Sequence, residues 1–370
     1  MRILHLTAGS DAGGLSRYIH DLCRALVKRG HSVAVAGQRG ADHDLFAQAP
    51  WPWIDLPLKG GFLALGRSAR QLRRDFPWDL MHVHYRRPML VARGVARHTH
   101  TPILYTLHLS DLPLWGPWRW LSDFGDHTHA PSADGQRWLI ERAGVDPQRI
   151  SLIPHGVDPE RFPRTTPAEK ARARRQLRLP PQGPVALFVG RFDTPKNEDW
   201  LLDVARATEA CQPQPHLLLV GGGPHQGALE AQIRGRGRGP GPGRGLQGRV
   251  SLYGYTDPLP FYQAADCLLL PSGREGFSLV CAEAMSTGLA ILRTRTAGVT
   301  ETVVEGITGR SVPIDRSAFV QAAVEMLQLP PEALARMGQA AAAHVRAHLS
   351  FERQVDDTIA LYRRLCGQEN

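Results

Sequence analysis

The sequence predicts an α/β protein built from two doubly wound parallel sheets that face a central cleft. Three observations predict it. Short apolar runs alternate with segments whose apolar residues recur every three or four positions, over residues 3–106 and again over residues 185–270. A turn-rich passage, PHGVDPERF at residues 154–162, followed by a basic, Pro-bounded stretch, separates the two series. A chain of 370 residues also exceeds what one hydrophobic core usually supports.

The first series opens with an apolar run at residues 3–6 and a glycine-containing loop, TAGSDAGG. A helix follows in which Leu15, Tyr18, Ile19, Leu22, Cys23, Leu26 and Val27 share one face, and Gly30 stops it. Residues 31–36, 80–83 and 103–106 continue as strands, and ligands of such sheets sit at the strands' carboxyl ends. The second series reads as strand 185–189, helix 197–210, strand 216–220, a helix, strand 250–253, short helix 258–265 and strand 267–270. An alanine-rich helix at 339–348 precedes a last one, FERQVDDTIALYRRLC. Two stretches are irregular. RGRGRGPGPGRGLQGR at 234–249 cannot pack a core and reads as a loop, with anion binding left open. LWGPWRWLSDF at 114–124 crowds Trp115, Trp118 and Trp120 into a loop, which leaves core filling, acceptor binding and interfacial membrane contact as alternatives.

The apolar fraction of 42% is that of a globular protein, and no window approaches the length of a membrane span. The start, MRILHLTAGS, enters a strand pattern without a basic leader, so a cytoplasmic protein is expected. Five scattered cysteines without a C-x-x-C pair read as reduced core residues. The net charge of +9 is concentrated early: residues 1–109 hold fifteen Lys/Arg against seven Asp/Glu. Arg67, Arg70 and Arg74 share one helix face, Arg93 and Arg97 another, and Arg86 with Arg87 lies between. Such a surface suits an anionic membrane leaflet or a phosphorylated acceptor. Nucleic acid ranks below them, because no helix-turn-helix, zinc-finger or RNA-binding signature accompanies the charge.

The chemistry concentrates in PSGREGFSLVCAEAMSTG, residues 271–288, where Glu275 and Glu283 flank a helix start. Gly273 and Gly276 keep the loop open, and Ser278 caps a helix carrying Leu279, Ala282 and Met285. Bare N–H groups at a helix start attract phosphate and carboxylates repel it, so acidic residues there must face an uncharged part of the ligand. Vicinal hydroxyls meet that requirement, since a carboxylate accepts two hydrogen bonds. The element therefore suits a sugar carried on a diphosphate.

This segment resembles the Glu, seven residues, Glu signature of the family 4 retaining glycosyltransferases, the glycosyl transferase group 1 enzymes of glycogen synthase and sucrose synthase type, which have the GT-B fold. The resemblance covers nearly the whole chain. It implies that Glu275 contacts donor sugar hydroxyls, that Glu283 holds the ribose, and that Phe277, Ser278 and Leu279 bring backbone to the donor. GGLSRY resembles the family's glycine loop, which places Gly13 and Gly14 by the donor phosphate. GRFDTPKN carries Arg191 and Lys196 at the end of the second domain's first strand, where two cations neutralise a departing diphosphate without a metal. Asn197 stands where the family usually has Gly. In TLHLSD, His108 matches the histidine beside the transferred sugar, whereas Leu109 and Ser110 separate it from Asp111, which takes no role. GGGP (residues 221–224) and GYT (254–256) resemble loops of the nucleotide pocket, with Tyr255 bordering the base. TAGVTE, with Gly298 and Glu301, has Thr300 in place of the family's Pro and is assigned no catalytic role. PHGVD matches the interdomain linker, and the last helix resembles the segment that crosses back. The implied domains are 1–160 with 350–370 on the acceptor side, and 161–349 on the donor side.

Metal chemistry finds weak support. His82 and His84 share a strand face without evident third and fourth ligands, and the D-x-D of Asp42 and Asp44 lacks its usual surroundings. The expectation is a cytoplasmic, metal-independent, retaining glycosyltransferase without a cofactor, which moves a hexose-type sugar from a nucleoside diphosphate to a sugar, lipid-linked or glycan acceptor in envelope glycolipid or polysaccharide synthesis. It does not act on nucleic acid, and the anionic cytoplasmic face of a membrane is a candidate surface for it. A nucleotide-sugar epimerase of the same fold and a non-catalytic sugar-nucleotide or polyanion-binding protein are the alternatives. A nicotinamide-dependent dehydrogenase lacks the glycine fingerprint.

Overall fold

Two all-parallel sheets organise the chain in the computed structural model, which describes residues 1–9, 13–40, 43–74, 77–110, 112–116, 122–235 and 245–368. Asp42, Asp111, Trp118, Trp120, residues 10–12 of the glycine loop and residues 236–244 of the Gly/Arg tract lie outside the described residues. The chain divides into unit 1, Met1–His155 with Glu352–Asn370, and unit 2, Gly156–Phe351.

Unit 1 holds β1 (Arg2–Gly9), β2 (Ser32–Gln38), β3 (Trp53–Asp55), β4 (Leu80–Val83), β5 (Ile103–Thr106), β6 (His127–Ala130) and β7 (Ile150–Leu152) in the order β3-β2-β1-β4-β5-β6-β7. The order reverses between β1 and β4, which is where doubly wound sheets bind ligands. Residues alternate between the faces of a strand, and one face carries Leu4, Leu6, Ala34, Ala36, Met81, Val83, Ile103 and Tyr105 into an apolar core.

The opposite face is buried but polar. Register sets His5 beside His82 and Thr106 beside His129. Their hydrogen bonds run in one direction. The Ile153 carbonyl only accepts, so His129 Nε2–H donates to it at 2.6 Å, and His129 Nδ1 accepts from the Thr106 hydroxyl at 3.0 Å. The Thr106 oxygen is then free to accept His82 Nε2–H at 2.6 Å, which leaves His82 Nδ1 to accept the Tyr362 hydroxyl at 2.6 Å. Tyr362 lies on the last helix, Phe351–Leu365, which is held to unit 1 again where Arg29 pairs with Glu352 and Asp356.

Unit 2 holds β8 (Val185–Val189), β9 (His216–Val220), β10 (Val250–Tyr253), β11 (Cys267–Leu270), β12 (Ala290–Thr294) and β13 (Gly309–Val312) in the order β10-β9-β8-β11-β12-β13, which reverses between β8 and β11. The basic stretch after the turn-rich passage forms the helix Pro167–Gln176, started by a capping box of Thr166 and Glu169. Its Lys170 and Arg174 both pair with Asp266, whose carboxylate also accepts the Val185 amide at 2.6 Å. That contact fixes β11 beside β8. Among the described residues, no helix is long and apolar enough to cross a membrane.

Candidate active site

The reversal in unit 2 sets the loops after β8 and β11 side by side. The first carries Arg191, Lys196 and Asn197, and the second carries Glu275. Lys196 Nζ donates to Glu275 Oε1 at 2.7 Å, with the carboxylate side chain 10% exposed and the lysine 24%. Two further bonds hold the loops together: the Gly273 amide donates to the Pro195 carbonyl at 2.7 Å, and Asn197 Nδ2 to the Pro271 carbonyl at 3.0 Å. Asn197 has a φ of 53°, in the left-handed region that Gly and Asn tolerate best, which explains how Asn replaces the expected Gly.

Ser278 caps the helix Leu279–Thr287, its hydroxyl accepting the Cys281 amide at 3.3 Å, so the helix start opens beside Glu275. Phe277 is buried immediately before it. Gly298, at φ 78°, packs against this bend, where an added Cβ would come within 3.1 Å of the Phe277 Cα. Gly221, at the end of β9, is equally constrained, because a Cβ there would lie 1.8 Å from the Gly190 carbonyl oxygen. An ammonium with three donors, one of them committed to Glu275, and a capped helix start have the chemistry to receive an anion, and the adjacent carboxylate has the chemistry to accept hydroxyls.

The remaining sequence-predicted residues of unit 2 do not join that contact. Arg191 is 56% exposed and donates to Asp193 on its own loop at 2.9 Å. Glu283 lies on the capped helix and accepts the Tyr262 hydroxyl at 2.8 Å; burial, then Glu283, pushes the phenol pKa up. Tyr255 is 62% exposed.

In unit 1, Gly13 precedes the helix Gly14–Lys28 with a φ of 153°, a conformation suited to glycine. His108 follows β5, and its Nε2 lies 3.1 Å from His84 Nδ1, while His84 Nε2 lies 3.1 Å from His5 Nδ1. Tyr18 meets His108 edge-on at 5.4 Å between ring centroids, and His155 stacks at 5.9 Å. Burial first, then neighbouring His129, lowers the His108 pKa to about 3, so the ring is neutral at pH 7.

Sequence reasoning found no third ligand for His82 and His84; the structure supplies His5, and one nitrogen from each of the three lies within 4.8 Å of the others. Both nitrogens of His82 are hydrogen-bonded to Tyr362 and Thr106, and both of His84 to His5 and His108, so metal coordination would have to break bonds the cluster makes by itself. Sequence reasoning also missed Tyr262 and the buried Arg293 on β12. The second had a signal, a lone arginine directly after the apolar run AIL of that strand.

Comparison with known proteins bears on the family and the fold. The Glycosyltransferase Family 4 model matches residues 12–161 and the Glycosyl transferases group 1 model residues 183–329. A D-inositol 3-phosphate glycosyltransferase from Geodermatophilus obscurus is 28% identical over 408 aligned positions, covering 95% of this chain and 85% of that protein. Among solved structures, sucrose-phosphate synthase from Thermosynechococcus elongatus superposes with a TM-score of 0.82 at 23% identity, covering 100% of both chains. HepE from Anabaena, solved in complex with UDP-glucose, gives 0.81 at 21% identity over 98% of this chain and 100% of that one. These likenesses fix the two-sheet GT-B architecture.

Proposed function

The chain is a glycosyltransferase of GT-B type belonging to family 4 and group 1, and from that premise we propose that it transfers a hexose-type sugar from a nucleoside diphosphate to an acceptor hydroxyl, with retention and without a metal. The observation that carries this reading is the 2.7 Å contact of Lys196 with Glu275 beside the Ser278-capped helix start. The Lys196 N–H groups not used by Glu275, the Arg191 guanidinium and the helix start would receive the diphosphate. Glu275 would accept the sugar hydroxyls and Glu283, aimed by Tyr262, the ribose diol. Gly13, Gly14, Phe277, Ser278 and Leu279 would bring backbone to the donor, and Tyr255 would border the base.

The acceptor oxygen would bond to the anomeric carbon on the face from which the diphosphate leaves. The carbon–phosphate-oxygen bond breaks, and the acceptor proton passes to a phosphate oxygen. His108, neutral by burial, would donate or accept a hydrogen bond without setting a positive charge against the cationic sugar centre. UDP-glucose, which HepE binds, heads the donor candidates.

For the acceptor, the inositol 3-phosphate in the relatives' name and the basic residues of unit 1 favour an anionic polyol over a neutral glycan. Membrane-linked envelope synthesis on the cytoplasmic face is the second reading, favoured by Phe62 and Leu63, 72% and 82% exposed and flanked in sequence by Lys59 and Arg67, and by Trp115, 71% exposed. The experiment is a panel of nucleoside diphosphate sugars scored for binding and slow hydrolysis, then for transfer to inositol 3-phosphate, with and without EDTA and anionic vesicles. The product anomer is read by NMR. Absence of binding to every donor would refute the reading, and conversion of the donor without acceptor would make the protein an epimerase.

A further inference from the structure

Arg293 is 0% exposed on β12, deep in unit 2. Its guanidinium donates to the Gly298 carbonyl at 3.0 Å, the Thr302 hydroxyl at 2.9 Å, the Thr296 hydroxyl at 2.7 Å and the Ala297 carbonyl at 3.0 Å. Every one of these partners is neutral. Among the described residues no carboxylate forms an ion pair with it, and its Nε has no hydrogen-bond partner. Burying an arginine without a counter-ion is costly, and hydrogen bonds to neutral carbonyls leave its charge intact.

That charge lies close to the anion receptor. The loop it holds, residues 296–302, carries Gly298, where an added Cβ would meet the Phe277 Cα at 3.1 Å and the Gly276 carbonyl oxygen at 3.3 Å, just before the Ser278 cap. Cys281, in the first turn of the capped helix, reports the same proximity. Burial pushes its thiol pKa up, and the Arg293 charge opposes that shift, with Glu275 and Lys196 also within reach.

We propose that Arg293 is a positioning residue of the diphosphate subsite, which clamps the 296–302 loop against the start of the helix Leu279–Thr287 and holds in reserve a positive charge that the bound diphosphate neutralises. The inference rests on the donor reading given above. It adds a third cation to Arg191 and Lys196, one that acts from behind the loop and is shielded from salt, because buried charges are screened little. A buried unit charge within about a nanometre of the diphosphate strengthens its binding by roughly tenfold to thirtyfold.

The test compares Arg293→Met, Arg293→Lys and Thr296→Val in the full chain. UDP affinity is measured by calorimetry, uridine affinity by ligand-observed NMR, and folding by thermal melting. Arg293→Met is expected to weaken UDP at least tenfold while leaving uridine unchanged. Arg293→Lys, which keeps the charge and loses the fork, and Thr296→Val, which keeps the charge and loses one anchor, are expected to lower the melting temperature but to bind UDP within threefold of the parent. UDP affinity unchanged in Arg293→Met, an equal loss for uridine, or either control as weak as Arg293→Met would overturn the proposal. If Arg293→Met fails to fold, tenfold weaker UDP binding by folded Arg293→Lys or Thr296→Val still overturns it, and binding within threefold by both supports it. A parent protein that binds no nucleoside diphosphate would refute the donor reading itself and this inference with it.

Discussion

Lowering the pH from 7.0 to 5.5 should destabilise unit 1 strongly, well above the range in which carboxylates titrate. The cause is the set of histidines buried on one face of its sheet. Burial lowers the pKa of His5 to about 3 and those of His127 and His129 to about 4, from an ordinary value of 6.5. His82, His84 and His155 are held well below that value, also chiefly by burial, and His108 is lowered too. The unfolded chain therefore binds protons below pH 6.5 that the native unit refuses, so stability is complete above 6.5 and falls as the pH drops toward the native values near 4 and 3. One unit below the unfolded pKa, each such histidine costs about 1.4 kcal/mol, so the four with stated values, His5, His108, His127 and His129, remove about 6 kcal/mol at pH 5.5 and all seven at most about 10. Either figure is a large share of an ordinary folding free energy of about 5–15 kcal/mol. The assay is urea unfolding followed by tryptophan fluorescence, which reports mainly on unit 1 because Trp200 alone of the eight tryptophans lies in unit 2. The midpoint should drop markedly between pH 7.0 and 5.5, and His5→Asn should make the dependence shallower. An unfolding midpoint that stays constant over that interval would refute the reasoning.

Three other outcomes follow from the unit 2 geometry. Arg191→Ala and Lys196→Ala should each lower turnover by about a hundredfold, roughly 3 kcal/mol of transition-state stabilisation, and unchanged steady-state rates in both would remove them from the leaving group. Tyr262→Phe and Glu283→Gln should weaken nucleoside diphosphate binding in titration calorimetry without changing its preference among sugars. Asn197→Ala should lower thermal stability by about 1–2 kcal/mol, through a left-handed backbone and a lost bond to the Pro271 carbonyl, whereas Asn197→Gly should cost less. A melting temperature lower for Gly than for Ala would contradict that account.

What the sequence made legible depended on how each element satisfies burial. Strands such as Val185–Val189 and Cys267–Leu270 lie inside parallel sheets and read as continuous apolar runs, so their alternation with helices exposed the architecture. β6, with sequence HTHA, is equally buried but reaches that state through hydrogen bonds of His127, Thr128 and His129, so no apolar pattern marks it. β3 is a three-residue edge strand, too short to show any period. In the candidate site, the Ser278 cap and the loop cations were legible because capping and strand-end position are local. The Lys196–Glu275 contact spans 79 residues and becomes visible only once β8 is known to pair with β11. Tyr262 beneath Glu283 was hidden for the same reason.

The two units treat buried polarity in opposite ways, and the difference bears on the proposed chemistry. In unit 1, a directional chain gives the His129 and His82 rings neutral partners in Ile153, Thr106 and Tyr362, and burial holds their pKa values low. In unit 2, Arg293 is buried among neutral hydrogen-bond acceptors, and among the described residues no carboxylate pairs with it. Loosening a glycosidic bond to a diphosphate creates positive charge on the sugar and negative charge on the phosphate. Groups near the sugar should then be neutral or anionic, and those near the phosphate cationic. On the proposed reading, neutral His108 and the Glu275 carboxylate would meet the first condition, and Lys196, Arg191 and Arg293 the second. An exchange of those characters, such as a protonated His108 at working pH, would oppose bond cleavage. Activity should therefore fall on the acid side only as unit 1 begins to unfold, and loss of turnover should track loss of structure between pH 6.5 and 5.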